Sequence, residues 1–357
     1  MKSGQVTSTP PQPSSNASGN STSRHTNVAL LAITETIAPV EVSSASFDER
    51  LSEALRKLGL PRNLLQRVAG VYTRRNWEKP TDYIDGAADA GRKALAESGI
   101  PADRIGLLIN ASVSREGLEP SVATAVHDRI GLGPQAMNFD ITNACLGFVN
   151  GMTVAANMID SGQIDYALIV AGEDMSRVQE ATVQRLMREG ITREEYLNEF
   201  ATLTLGSGAA AAVLGRADLH PEGHRILGGV TRAATWNNHL CVGDYDGMFT
   251  DTQGLLENGM ELINAAWQEA NASGWDWEDM DHYIPHQVSK THVKALTDAT
   301  TIDPDKIART YPELGNVGPA SLPITLARRA PDMQPGDRVL CMGVGSGLNT
   351  AMMEIAW

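Results

Sequence analysis

Residues 137–162 read MNFDITNACLGFVNGMTVAANMIDSG. Met137, Phe139 and Ile141 alternate with polar residues, as in a β-strand, and the small apolar run after Cys145 predicts a helix that ends near Ser161. Cys145 therefore lies where a strand gives way to a helix. The positive end of the helix is expected to favour the thiolate and make a nucleophile of this residue. The alternative is that Cys145 is one more small buried apolar residue.

Strands and helices are predicted to alternate on both sides of this stretch. Continuous apolar runs at 105–111 and 165–172 are typical of buried strands, and helical patterns separate them. This alternation of strands and helices predicts an α/β fold with a mainly parallel, helix-covered sheet, built from two similar halves. We expect a disordered tail at 1–27, a first half at 28–215 and a second half at 216–357. The tail is expected because these residues are mostly Ser, Thr, Pro, Gly and Asn.

The composition excludes several classes of protein. The 357-residue chain carries 43 acidic and 29 basic residues, a net charge of -14, which argues against nucleic acid or an anionic membrane as the main partner. Its three cysteines include no CxxC pair, so neither a disulfide framework nor a zinc site is expected, and a cytoplasmic location fits. No apolar run approaches the roughly 20 residues needed for a transmembrane segment.

Two further polar residues occupy positions like that of Cys145. His286 follows a predicted strand in PHQVS, and Asn316 lies between glycines in GNVGPAS, just before a predicted helix. Each has a structural alternative, since His286 fits a hydrogen-bonded core residue and Asn316 fits a turn or cap. Their shared placement predicts that three loops converge at one end of the sheet.

The motifs NACLGF, HQVS, GNVGPAS and GVGSGLN resemble those of the thiolase superfamily, in the branch that contains 3-oxoacyl-(acyl-carrier-protein) synthase III. The resemblance runs from about residue 28 to the C-terminus. It implies a layered αβαβα fold in which Cys145 attacks a thioester and carries the acyl group. It also implies that His286 and Asn316 donate hydrogen bonds to the enolate oxygen of the second substrate. The oxyanion donors would be the backbone N–H groups of Cys145 and of the glycine loop Gly345, Ser346 and Gly347.

A narrower resemblance lies in SVSREGLEPS, residues 112–121. It is similar to the OleA group of bacterial enzymes, which join two fatty acyl-CoA molecules head to head at the start of long-chain olefin synthesis. In that group a glutamate reaches into the active site of the partner subunit and acts as a base. The resemblance assigns this role to Glu119, which precedes Pro120 and is expected in extended backbone. Glu116 is the competing candidate, and an ordinary exposed loop carboxylate is the structural alternative for Glu119.

The resemblance implies an acyltransferase that condenses two fatty acyl-CoA molecules without decarboxylation. The product would be a β-keto acid for olefin, ketone or β-lactone synthesis. Coenzyme A thioesters are the expected substrates, with no metal or redox cofactor. A homodimer with Glu119 acting across the interface is expected, with downstream pathway enzymes as further partners. Two alternatives remain open: a decarboxylating synthase that uses a malonyl thioester, and a non-catalytic subunit of a heterodimeric condensing enzyme.

Overall fold

The computed structural model of the chain describes residues 21–357, whose longest sheet is mixed and contains ten strands. No helix within this range is both long enough and apolar enough to cross a bilayer. The strands of the described residues are β1 (Thr22–Arg24), β2 (Val28–Ile37), β3 (Val40–Ser43), β4 (Thr73–Asn76), β5 (Leu107–Asn110), β6 (Met137–Asp140), β7 (Tyr166–Glu173), β8 (Gly208–Arg216), β9 (His224–Ala233), β10 (Cys241–Gly243), β11 (Met248–Thr250), β12 (His282–Pro285), β13 (Arg338–Gly345) and β14 (Asn349–Ala356).

The helices cover the sheet and connect its strands. They are α1 (Ser44–Arg50), α2 (Ser52–Lys57), α3 (Asp82–Ser98), α4 (Val122–Ile130), α5 (Gly147–Asp160), α6 (Ser176–Leu186), α7 (Arg193–Glu199), α8 (Thr252–Ala272), α9 (Lys290–Ala299), α10 (Tyr311–Leu314) and α11 (Ser321–Arg329).

The long sheet divides into two similar parts. Its order is β12-β13-β14-β9-β2-β8-β7-β5-β6, with β1 paired to β9. Among the described strands, the two parts of the sheet are joined where β2 pairs with β9, through Ala29 with Arg225 and Leu30 with His224. Strand β8 ends at Arg216 and β9 begins at His224, so the boundary predicted at residue 215 falls at the end of β8, and the division into two domains stays a prediction.

Helices and sheets alternate in five layers. Helices α3 and α4 pack on the outer face of the first part, and α8 and α9 pack on the outer face of the second. Helices α5 and α11 lie between the two parts and contact both. The αβαβα architecture expected from the sequence is therefore confirmed. The expectation of a mainly parallel sheet is wrong: among the described strands of the long sheet, β12 with β13, β5 with β6 and β5 with β7 are parallel, and the other six pairs are antiparallel.

The central position of α5 explains the small residues of its sequence. A Cβ atom added at Gly151 would lie 3.2 Å from Cγ2 atoms of both Ile109 and Ile169. One added at Gly147 would lie 2.9 Å from the Ala111 carbonyl oxygen. Glycine lets the helix approach β5 and β7 closely, which brings the residues before the helix to the end of the sheet.

One expectation for the N-terminal tail is wrong. Thr22–Arg24, inside the tail predicted at 1–27, forms β1 and pairs antiparallel with Gly228–Val230 of β9. The pairing supplies these polar residues with backbone hydrogen bonds that local composition does not reveal. Residues 1–20 of the predicted tail lie outside the described residues.

We expect Gly172→Ala to destabilise the fold. The added Cβ would lie 2.3 Å from the Tyr83 carbonyl oxygen and 3.0 Å from the Ala87 Cβ, so α3 must move away from β7. Overpacking of this kind costs about 1–3 kcal/mol. The matched control is Gly259→Ala in α8, where nothing lies within 4 Å and alanine favours the helix. Urea unfolding curves check this, and equal unfolding midpoints for the two variants would contradict it.

Candidate active site

Cys145 lies in a tight turn between β6 and α5. Ala144 adopts a left-handed backbone with φ 47°, which is uncommon for a residue other than glycine. The side chain of Asn143 supports the turn on both sides: its amide donates to Asn150 Oδ1 at 2.8 Å, and its oxygen accepts from Asn349 Nδ2 at 3.2 Å. The predicted placement of Cys145 at a strand-to-helix junction is confirmed.

His286 and Asn316 lie on neighbouring loops. His286 follows β12 and is buried, and its backbone N–H donates to the Met342 carbonyl at 2.8 Å. Asn316 follows the short helix α10 rather than a strand. Its side-chain oxygen accepts from the Gly318 N–H at 2.9 Å and lies 3.4 Å from Ser321 Oγ. These contacts leave the Asn316 amide NH₂ to face the Cys145 sulfur.

The three residues line one cavity of about 770 Å³. The predicted convergence of Cys145, His286 and Asn316 is thus what the structure shows. The wall away from them is largely apolar, as expected of a site for hydrocarbon chains. The apolar side chains of this wall include Val178, Leu255, Met260, Ile263, Val293, Leu296, Met342 and Met352.

Burial reverses the charge state expected for the thiol. Removal from water, and then the nearby Cys241 and Glu173, raise the pKa of Cys145 to about 12. Its own backbone N–H and the Asn316 amide act in the opposite direction and lower the pKa without cancelling the rise. Desolvation therefore opposes the effect of the helix end, and we expect the sulfur to keep its proton until a base accepts it.

The histidine beside Cys145 is neutral for the same reason. Burial, and then the neighbouring His292, lower the pKa of His286 to about 3. Burial also lowers the pKa of His292 to about 4, and its Nδ1 lies 2.9 Å from Ser289 Oγ. His286 Nδ1 has no hydrogen-bond partner among residues 21–357. A neutral imidazole can accept the thiol proton or donate an N–H, depending on its tautomer.

The predicted glycine loop lies against the Cys145 turn. Gly345 and Ser346 line the cavity, and Gly347 lies in the same connection between β13 and β14. A Cβ at Gly345 would lie 2.9 Å from the Asn143 carbonyl oxygen and 3.2 Å from the Leu146 nitrogen. Only glycine allows this approach, which brings loop backbone close to the sulfur.

Glu119 lies away from the cavity of its own chain. The loop 112–120 connects β5 to α4; Ser114 and Arg115 near its start line the cavity, whereas Glu116 and Glu119 are exposed. Leu118 beside Glu119 is 96% exposed, which is unusual for a leucine. Within a single chain, neither glutamate is among the residues around Cys145.

Comparisons with known proteins agree with this geometry. Residues 139–234 match the family 3-oxoacyl-[acyl-carrier-protein] synthase III, and residues 270–357 match its C-terminal family. The chain is 43% identical to the acyl-CoA:acyl-CoA alkyltransferase of Xanthomonas campestris, over 93% of this chain and 99% of that protein. The Shewanella oneidensis protein of the same name is 34% identical, over 94% of this chain and 100% of that protein. The chain belongs to the acyl-CoA:acyl-CoA alkyltransferase family.

A solved structure of a member of this family, the Xanthomonas campestris enzyme OleA, superposes closely on this chain. It is a Cys-to-Ser variant of the Xanthomonas campestris enzyme with bound lauric acid and lauroyl-CoA. The TM-score is 0.90 at 42% identity, covering 93% of this chain and 100% of that one. The resemblance to OleA and the thiolase fold are confirmed, and the chain is an acyltransferase of this superfamily.

Sequence reasoning missed residues that support the OleA-type site. Glu173, at the end of β7, is fully buried, and burial raises its pKa to about 7. Its carboxylate accepts hydrogen bonds from Val113 N–H at 2.8 Å and Ser114 Oγ at 2.6 Å. The sequence feature that could have pointed to Glu173 is an acidic residue at the end of an otherwise apolar strand. His292 lies in the first turn of α9, and apart from its closeness to His286 in the sequence no pattern indicates that it lies near the site.

No group of three or more histidine, cysteine, aspartate or glutamate side chains within the described range is arranged to hold a metal ion.

Alkylation of Cys145 by iodoacetamide tests its protonation state. Because only the thiolate reacts and burial raises the pKa to about 12, the rate should increase about tenfold per pH unit from pH 7 to pH 10 without a plateau. Site-resolved mass spectrometry separates Cys145 from Cys241, and free N-acetylcysteine serves as the control. An alkylation rate that reaches a plateau below pH 8 would show that Cys145 is a thiolate at rest and would contradict this prediction.

Proposed function

We propose that this chain joins two fatty acyl-CoA molecules by a non-decarboxylative Claisen condensation. The observation that carries the proposal is the convergence of Cys145, neutral His286 and Asn316 on one largely apolar cavity. Membership of a family whose Xanthomonas member binds lauroyl-CoA supports fatty acyl-CoA as the substrate class. The proposal requires no metal or redox cofactor, since proton transfers, two nucleophilic acyl substitutions and one thioester hydrolysis complete the reaction.

In the first half-reaction Cys145 becomes acylated. As its sulfur attacks the thioester carbonyl carbon of the first acyl-CoA, the thiol proton passes to neutral His286. Backbone N–H groups of Cys145 and of the loop 345–347 would stabilise the oxyanion. The bond from the carbonyl carbon to the CoA sulfur then breaks, and the departing CoA takes the proton. Acyl-cysteine and free CoA result.

In the second half-reaction Glu119 of the partner subunit removes the α-proton of the second acyl-CoA. The enolate oxygen would accept hydrogen bonds from the Asn316 amide and a His286 N–H, which disperse its charge. The α-carbon attacks the acyl-cysteine carbonyl, a carbon–carbon bond forms, and the bond to Cys145 breaks. The departing cysteine takes up a proton, and Glu119 gives up the one that it removed, so both groups return to their starting states. Hydrolysis of the remaining CoA thioester gives a β-keto acid for olefin, ketone or β-lactone synthesis.

A homodimer is proposed because Glu119 needs a second active site to act upon. Strand β6, which leads directly to Cys145, is the last strand of its sheet and has an unpaired edge within the described chain. Asp140 at its end accepts hydrogen bonds from the Val122 and Ala123 N–H groups at the start of α4, immediately after the Glu119 loop. An edge-to-edge dimer would therefore bring this loop near the partner. A cytoplasmic location and further contacts with downstream enzymes remain proposals.

Lauroyl-CoA as the sole substrate separates this proposal from its main alternative. We expect two CoA molecules to be released for each condensed β-keto acid, with no malonyl donor present. Mass spectrometry of the products and a thiol assay for CoA measure both. An absolute requirement for a malonyl thioester would instead support the decarboxylating synthase.

Glu119→Gln should uncouple the two half-reactions. Acylation of Cys145 needs only the residues around the cavity, so the variant should still form acyl-cysteine, while condensation should decrease at least 100-fold because the base is lost. Glu116→Gln is the matched control and should retain condensation within about threefold. Intact-protein mass spectrometry and product assays provide the two readouts. Loss of condensation in Glu116→Gln alone would reassign the base, and absence of any acyl-cysteine would support a non-catalytic subunit.

A further inference from the structure

The loop that carries Glu119 is fixed at its start. Glu173 holds the N–H groups of Val113 and Ser114 at 2.8 and 3.1 Å and the Ser114 hydroxyl at 2.6 Å. The Asp174 N–H also donates to Ser114 Oγ at 3.0 Å. These buried contacts attach the first residues of the loop to the end of β7.

Tyr245 holds the next residue of the loop from the other side. Its hydroxyl accepts a hydrogen bond from the Arg115 N–H at 2.6 Å and donates one to the Arg115 carbonyl oxygen at 2.9 Å. Tyr245 lies between β10 and β11, and the Arg177 guanidinium lies over its ring at 4.8 Å. One hydroxyl thus satisfies both backbone groups of a single residue, which fixes the orientation of its peptide groups.

Beyond Arg115 the loop has no comparable support. Within residues 21–357, no hydrogen bond holds residues 116–120. Glu119 is four residues beyond the Tyr245 contact, and four extended residues span up to about 14 Å. A rotation of about 10° at Arg115 would therefore displace the end of a fully extended span by about 2 Å, enough to misplace a base.

We propose that Tyr245 is a positioning residue, whose hydroxyl fixes Arg115 so that Glu119 of the same chain reaches the α-carbon bound in the partner subunit. The inference rests on the proposed function, because it requires Glu119 to act across a dimer. Tyr245 also lines the cavity of its own chain. A contribution to the cavity wall would affect the site formed by Cys145 of that chain, whereas positioning would affect the other site. The cavity-wall role and the positioning role can therefore be distinguished by placing the Tyr245 substitution in one subunit or the other and measuring which site is affected.

A mixed dimer with one complete site provides the test. A chain with Glu119→Gln and a chain with Cys145→Ala are co-expressed with different affinity tags, and the mixed dimer is isolated through both tags. Its only complete site pairs Cys145 of the first chain with Glu119 of the second. Tyr245→Phe, which removes the hydroxyl and keeps the ring, is introduced into one chain or the other.

In the chain that supplies Glu119, Tyr245→Phe should lower the condensation kcat by about 10- to 100-fold. The KM for lauroyl-CoA and the rate of Cys145 acylation should not change with it. In the chain that supplies Cys145, the decrease should be at least fivefold smaller. Tyr72→Phe, which removes the hydroxyl of a tyrosine that is 60% exposed, is the control and should have no effect in either chain.

Equal decreases in the two placements, or no decrease in the Glu119-supplying chain, would overturn the role of Tyr245 while leaving the proposed function intact. A mixed dimer that is inactive with native Tyr245 in both chains would overturn both, since Glu119 would then not act across the interface. Because the same variant is assayed in both placements, a folding defect in Tyr245→Phe would appear as a loss in both and would contradict the proposal.

Discussion

The largely apolar surroundings of Cys145, His286 and Asn316 are the constraint on which the chemistry depends. A cavity that accepts fatty acyl chains must be largely apolar, and such surroundings disfavour charged side chains. We therefore expect both the thiol and the imidazole to be neutral, because burial moves their pKa values in opposite directions. On this account Cys145 is a thiol, not a thiolate, before the substrate binds. Negative charge develops only when a thioester oxygen is present to carry it and fixed donors are present to stabilise it.

Stabilisation of this kind requires that the donors do not move, and the fold supplies the necessary rigidity. The Cys145 turn is joined by Asn143 to both α5 and β14. The Asn316 oxygen is engaged by its own loop, so the orientation of its amide is fixed before substrate binds. The left-handed backbone of Ala144 is a conformation that costs about 1–3 kcal/mol, and these contacts maintain it. Loops from both parts of the sheet thus contribute residues to one site.

Sequence patterns predicted the parts of this structure that depend on local chemistry. Alternation in residues 137–141 and the small apolar run after Cys145 located β6 and α5, and the motifs around His286 and Asn316 located the converging loops. The errors arose from contacts between distant residues. Thr22–Arg24 pairs with a strand about 200 residues away, and the charge state of Cys145 depends on burial by the whole cavity. Glu173 and Tyr245 contact loop residues 60 and 130 positions away, and neither contact has a sequence pattern.

The protonation state of His286 tests the central claim most directly. With ¹⁵N-labelled histidine, and His286→Asn to assign the signal, the ring nitrogens of the substrate-free protein can be followed by NMR from pH 5 to pH 9. A pKa of about 3 predicts one protonated and one unprotonated nitrogen throughout this range, with no titration. Two protonated nitrogens that titrate together with Cys145, and change in Cys145→Ala, would show a resting imidazolium–thiolate pair and contradict a neutral site.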